Sequence, residues 1–143
     1  NKGNFRLMPM NTKKYLQKWL DNYKSEDPSF LDEILDESVV LYSPVVFKPI
    51  EGKDLAKLYL MSAGQSFNMN SFKYTKEVIQ DLHCVLEFET FIDDVSVNGA
   101  DIISWNNEGK IIEFKVMIRP IQAIEKVKEK MIESLELFSN QGS

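Results

Sequence analysis

The chain has 143 residues, 43% of them hydrophobic and 27% charged, with a net charge of −5. That length makes a single domain able to bury roughly 68–70% of its unfolded surface, and an acidic balance without a basic stripe excludes a nucleic-acid-binding face. One cysteine and one histidine exclude an internal disulfide and a Cys/His zinc set, and no apolar run approaches the ~18 residues that span a bilayer. No membrane, metal or cofactor is therefore expected, and a reducing cytoplasm is the expected compartment.

Residues 1–9 lack the apolar core of a signal peptide and read as a flexible N-terminus or a cloning remnant. A single domain fills 10–139, and 140–143 read as a flexible tail. A first helix is expected from Asn11 or Thr12, both good caps, to about Lys24, with Tyr15, Leu16, Trp19, Leu20 and Tyr23 on one face. Ser25-Glu26-Asp27-Pro28 breaks it. A short helix then starts at Ser29, with Phe30, Ile34 and Leu35 as its buried side. Val39-Val40-Leu41-Tyr42 is β-branched and aromatic, hence a strand that stops at Pro44, and residues 45–47 suggest a short edge strand. Gly52 precedes a third helix over 53–66.

From Ser71 the hydrophobic period changes to two and holds until Arg119. Strands are expected at 72–80, 82–92, 95–105 and 110–119. Asp93-Asp94 forms one hairpin turn, and Asn106-Asn107-Glu108-Gly109 forms the next. Asn98-Gly99 is read as a bulge, because turning there would leave too short a partner for an eleven-residue strand. Pro120 suits the first position of a last helix, whose apolar face is Ile121, Ile124, Val127 or Lys128, Met131, Leu135 and Phe138. Its acids at 125, 129, 133 and 136 alternate with lysines as a solvated face. Helices followed by a run of strands mean α+β, with the helices packed on one face of a strongly curved, mostly antiparallel sheet.

Tyr42-Ser43-Pro44, Gly52 opening a helix, Leu86-Glu87-Phe88, Asn98-Gly99-Ala100-Asp101, Glu108-Gly109-Lys110-Ile111 and Arg119-Pro120 together resemble the nuclear transport factor 2-like proteins, most of all the SnoaL-like branch. The resemblance runs from about Met10 to Met131. It implies a cone-shaped α+β barrel enclosing a pocket for a hydrophobic small molecule, and a superfamily that holds isomerases, cyclases, dehydratases, an epoxide hydrolase and non-enzymatic domains. Fold alone does not choose among them. The epoxide hydrolase layout is not reproduced: Leu82, Cys84 and Val116 stand where its charged groups would be, and Tyr42 replaces its water-holding Asn.

The same resemblance implies strand faces. Leu82, Cys84, Leu86, Phe88, Asn98, Ala100, Ile102, Ser104, Phe114, Val116 and Ile118 would face the pocket. Tyr42 is the leading polar contact there, as a general acid or oxyanion donor, with Tyr59 and Tyr74 carrying the same argument more weakly. Cys84 in an apolar wall behaves as a small hydrophobe. The opposite face would carry Val85, Glu87, Asp101, Ile103, Trp105, Lys115, Met117 and Arg119, a mixture of apolar groups and both charge signs that suits a homodimer interface. With the faces exchanged, Glu87, Asp101, Lys115 and Arg119 would instead form an acid/base cluster inside, where burial tunes pKa values for catalysis. His83, the sole imidazole, reads as a surface or interface residue. The function expected is small-molecule binding, extending to cofactor-free isomerase, dehydratase or cyclase chemistry. The alternative is a dimeric interaction module whose pocket is filled.

Overall fold

A computed structural model describes residues 2–141, and side chains within 11–134. The element order is α1 (Lys2–Asn22), α2 (Ser29–Ile34), β1 (Leu35–Tyr42), β2 (Ile50–Glu51), α3 (Lys53–Ser66), β3 (Lys73–Gln80), β4 (His83–Ile92), β5 (Val95–Trp105), β6 (Ile111–Arg119) and α4 (Ile121–Gln141). One six-stranded sheet runs β2-β1-β6-β5-β4-β3. It is mixed: β1 lies parallel to β6 and every other pair is antiparallel. The sheet curves without closing, and helices cover its concave side.

The long strands fall within a residue of their expected limits, because period-two patterning and turn residues specify them locally. Asp81 and Asp93 take positive φ (53° and 54°) at the two tight turns, a conformation aspartate tolerates better than most side chains. Four helix and strand limits differ from expectation. β1 opens at Leu35, expected on the buried side of the second helix, and not at Val39. α1 begins at Lys2 rather than Asn11 or Thr12, and the Thr12 hydroxyl, instead of capping, donates to the Asp81 carbonyl at 2.5 Å. Residues 45–47 form no strand; Ile50–Glu51 supplies the short edge partner of β1. Pro120 stands just ahead of α4, its carbonyl accepting from the Ala123 and Ile124 amides. The inward residues of α4 are Ala123, Val127, Met131 and Ser134, while Ile121 is 73% exposed. The expected contributions of Leu135 and Phe138 lie outside the described side chains.

Residues 98–99 form no bulge. The β4–β5 ladder is unbroken from Ile92↔Val95 to His83↔Ser104. Gly99 sits opposite Phe88, and a Cβ there would come 2.4 Å from the Phe88 ring and 2.5 Å from the Met117 carbonyl. The glycine is needed because an aromatic ring occupies the space its side chain would take.

Two apolar clusters fill the cone. One centres on Leu16, Trp19, Leu35, Leu41, Leu86, Ile103, Trp105 and Phe114 under α1. The other centres on Phe72, Phe88, Ile92, Val97 and Val127 under α4. Tyr23, Tyr59, Tyr74 and Val116 pack against both, so the seam between the clusters is lined by phenols.

Candidate active site

That seam borders a partly open cavity of about 80 Å³ whose walls come from α1, α3, β1, β3–β6 and α4. Its lining is aromatic and aliphatic, and Asp101 is the only charged side chain among the residues that form it. Asp101 is 6% exposed. Tyr74 donates to its Oδ2 at 2.6 Å, and the Trp19 indole Nε1–H donates to the Tyr74 oxygen at 2.9 Å. Among the described residues Asp101 makes no other side-chain hydrogen bond, which leaves Oδ1 free for a ligand.

Burial dominates the electrostatics. It pushes the Asp101 carboxyl from its ordinary 3.8 up to about 7, against the opposing pull of the Tyr74 hydrogen bond. The Tyr74 phenol is driven well above its ordinary value by burial and by the neighbouring carboxylate. Tyr23 is raised by the same two causes in the same order. At neutral pH the cavity therefore holds an aspartate balanced between acid and base beside phenols that keep their protons.

The strand faces come out in part as expected. On β4, Cys84, Leu86 and Phe88 point inward, and on β6 so do Phe114, Val116 and Ile118. Tyr59, Tyr74, Phe88, Phe114, Val116 and Ile118 line the cavity itself, while Cys84 and Leu86 are buried core beside it. Burial pushes the Cys84 thiol up to about 12, so it stays an inert thiol.

β5 is inverted relative to expectation. Asp101, Ile103 and Trp105, assigned to a dimer interface, face the interior and are buried. Asn98, Ile102 and Ser104, assigned to the pocket, face outward: Asn98 donates to Glu87 Oε2 at 3.0 Å and Ser104 meets His83 Nδ1 at 2.7 Å. The cause is the absent bulge. With Asp93-Asp94 as a two-residue turn, Ile92 pairs with Val95, and Leu86 then falls opposite Asp101.

Tyr42 is corrected as well. β1 pairs in parallel with β6 so that Leu41 is level with Phe114 and Tyr42 with Lys115. Leu41 lines the cavity, and Tyr42 lies on the outer face with the Lys115 ammonium 4.8 Å from its ring centroid. Glu87 also lies outside, bonded to Asn98 and 3.7 Å from Lys76, so neither it nor Tyr42 can reach the interior. Of the four charged residues considered as an internal cluster, Asp101 alone is inside. Trp19, Tyr23 and Ser43 belong to the site but were not singled out as site residues; Trp19 and Tyr23 were read only as the buried stripe of α1. Counting pairs outward from the Asp93-Asp94 turn would have placed Asp101 correctly.

No group of three or more His, Cys, Asp or Glu among the described residues could hold a metal, and no helix there is long and apolar enough to cross a membrane.

The architecture is that of the nuclear transport factor 2-like proteins, and several solved structures share it. A steroid delta-isomerase from Pseudomonas aeruginosa superposes with a TM-score of 0.85 at 26% identity, over 91% of this chain and 95% of that one. A nuclear transport factor 2-like protein of unknown function from Mesorhizobium loti gives 0.68 at 15% identity, over 78% and 93%. A SnoaL-like polyketide cyclase candidate from Jannaschia sp. CCS1 gives 0.70 at 9% identity, over 84% and 93%. No protein-family model matches the chain, and no curated protein sequence does.

Proposed function

We propose that this protein binds a largely apolar carbonyl compound in the Asp101 cavity and catalyses a cofactor-free shift of a proton, as an isomerase does. The observation that carries the reading is a lone carboxyl, pushed up to about 7 by burial and held by Tyr74, in an otherwise apolar cavity. A base serves best when its pKa lies near the working pH. In its ionised form Asp101 takes a proton from the carbon next to the carbonyl. The C–H electrons move into the enolate and its negative charge settles on the carbonyl oxygen. The same carboxyl, now protonated, returns the proton at the far end of the conjugated system. Tyr23, Tyr59 and Ser43 supply hydroxyls along the same wall to donate to that oxygen. The likeness to a steroid delta-isomerase agrees with this chemistry, while 80 Å³ is well below the roughly 300–1,000 Å³ of a drug-sized site. The cavity therefore holds the reacting end of a ligand, not a whole steroid.

The test is conversion of cyclohex-3-enone to its conjugated isomer, followed by ultraviolet absorbance. The rate is expected to rise with pH through about 7 and level off above it, because only the ionised carboxyl is a base. Tyr74→Phe removes the hydrogen bond that favours the ionised form, so the midpoint should move to higher pH by about one unit. An unchanged profile in that variant, or no conversion by the wild type, would turn the reading toward the alternative, a module whose interior is simply packed.

We also infer a homodimer through the outer face of β3–β6. Val78 (61% exposed), Val85 (40%) and Met117 (54%) stand there among Glu87, Lys115 and Arg119. Both charge signs on one face make it self-complementary under a two-fold axis, which is what an isologous interface requires. Met117→Glu is expected to yield monomers by size-exclusion chromatography with light scattering, and a dimer that survives it would place the interface elsewhere. A cytoplasmic setting completes this reading, in keeping with a single, buried thiol.

A further inference from the structure

The Asp101 carboxyl stands at the end of a hydrogen-bond chain that runs in one direction. Trp19 Nε1–H donates to the Tyr74 oxygen at 2.9 Å, and Tyr74 donates to Asp101 Oδ2 at 2.6 Å. An indole N–H only donates and does not titrate, whereas a phenol has one proton that it can turn either way. With the Trp19 hydrogen against its oxygen, the Tyr74 proton is left with Asp101 Oδ2, the one acceptor it meets among the described residues.

Neighbouring rings hold both relays in place. Trp19 lies edge-on to Phe114 at 5.1 Å between centroids, with Tyr23 at 6.0 Å and Phe30 at 6.1 Å. Tyr74 meets Phe72 edge-on at 5.2 Å and Tyr23 at 5.0 Å. The β3–β4 register shifts between Tyr74 and Lys76, an irregularity of the kind that re-aims a side chain. Oδ1 accepts from no side chain. The one sealed side-chain polar atom without a partner among the described residues is Ser62 Oγ, so Oδ1 opens on the cavity that Asp101 lines.

We propose that Trp19 is a positioning residue: its indole N–H holds Tyr74 as a donor to Asp101 Oδ2 and thereby confines the shuttled proton to Oδ1, the oxygen open to the ligand. This rests on Asp101 as the base and adds which of its oxygens does the work. A proton on Oδ2 would have to be donated to Tyr74, whose own proton would then lack an acceptor in a buried site, and that is penalised. Donation by Trp19 also sharpens Tyr74 as a donor: burial is the largest cause that raises the phenol, and the Trp19 bond opposes it. The other titratable groups around Asp101 are Tyr23 from α1, Tyr59 from α3 and Cys84 from β4. Glu77 of β3 shares the sheet row of Leu86 and Asp101 but is exposed, and the lining residues of β6 and α4 are apolar. Trp19 therefore acts on the carboxyl through Tyr74.

Replacing Trp19 by benzothienylalanine, introduced at a suppressed stop codon, keeps the ring shape and exchanges the N–H for a sulfur, a weak acceptor. With aspartate labelled with carbon-13 at Cγ, NMR titration gives the Asp101 midpoint, its resonance being the one lost in Asp101→Asn. The midpoint is expected to rise by about half a unit in the replaced protein, and to stay put when the same replacement is made in a Tyr74→Phe background. An unmoved midpoint, or an equal rise with and without the Tyr74 hydroxyl, overturns the positioning role. Trp19→Phe, which also lacks the N–H, should repeat the pattern, and circular dichroism verifies that each variant is folded. Below the midpoint, the infrared difference between parent and Asp101→Asn should show one carboxylic C=O band. The replaced protein should add a second band at higher frequency, from molecules whose proton has moved to Oδ2 and freed the carbonyl from Tyr74. A single band there overturns the confinement to Oδ1. None of these readouts needs turnover, so a protein that shows them and converts no enone keeps the Trp19 role and loses only the isomerase reading.

Discussion

Asp101→Asn is expected to make the protein more stable above neutral pH and to remove the base of the proposed isomerisation in the same step. The carboxyl has an ordinary value of 3.8 and is pushed up to about 7 in the fold. An unfolded chain gives up this proton near pH 4 and the native chain only near pH 7. The stability that comes from holding the proton is therefore whole below the lower value and gone above the upper one. At about 1.4 kcal/mol for each pH unit between them, the ionised carboxylate costs the fold on the order of 4 kcal/mol at pH 8. An asparagine does not titrate, and its carbonyl oxygen can still accept the Tyr74 proton. Urea denaturation should show the variant ahead of wild type by several kcal/mol at pH 8, with the advantage vanishing toward pH 4. Loss of the base should lower enone isomerisation by between about a hundredfold and ten-thousandfold. A stability difference that is flat with pH would mean that Asp101 is not the buried acid described here.

Gly99→Ala is expected to disrupt the sheet. Its Cβ would stand 2.4 Å from Phe88 Cζ and 2.5 Å from the Met117 carbonyl oxygen. A phenyl ring can turn aside, but the carbonyl belongs to the neighbouring strand, paired through Gly99↔Ile118, and can move only if the ladder opens. Overpacking of this kind costs about 3 kcal/mol, which for a domain of this size lowers Tm by roughly 10 °C. Phe88→Leu in the same chain should recover part of the loss, although it destabilises on its own, because it removes the ring but not the carbonyl. Strict additivity of the two changes would show that ring and methyl never compete for space.

The two substitutions also mark where the sequence was legible. Strand limits on β3–β6 followed from alternation and from Asp and Gly at turns, both local signals. The inward faces of β4 and β6 were readable as well. β5 was misread because Asn98-Gly99 has the composition of a bulge, while its glycine answers to Phe88 across the ladder, a contact that no local pattern announces. Tyr42 was misplaced for a different reason. Its strand joins the sheet in parallel beside β6, some seventy residues later in the chain, so no hairpin turn fixes its register and a one-residue slip exchanges it with Leu41. The size of the cavity was not readable at all, since it is what remains after Trp19, Tyr23, Phe67, Phe72, Tyr74, Phe88 and Phe114 have packed against one another.

The seam between the two apolar clusters bears on how the molecule breathes. Tyr23, Tyr59, Tyr74 and Val116 are the side chains common to both halves of the interior, and the cavity is formed where they meet. A guest lodged there would act as a keystone, joining the α1 half of the cone to the α4 half. Amide hydrogen exchange should then slow in both halves together when the site is filled, although the guest touches only the joint.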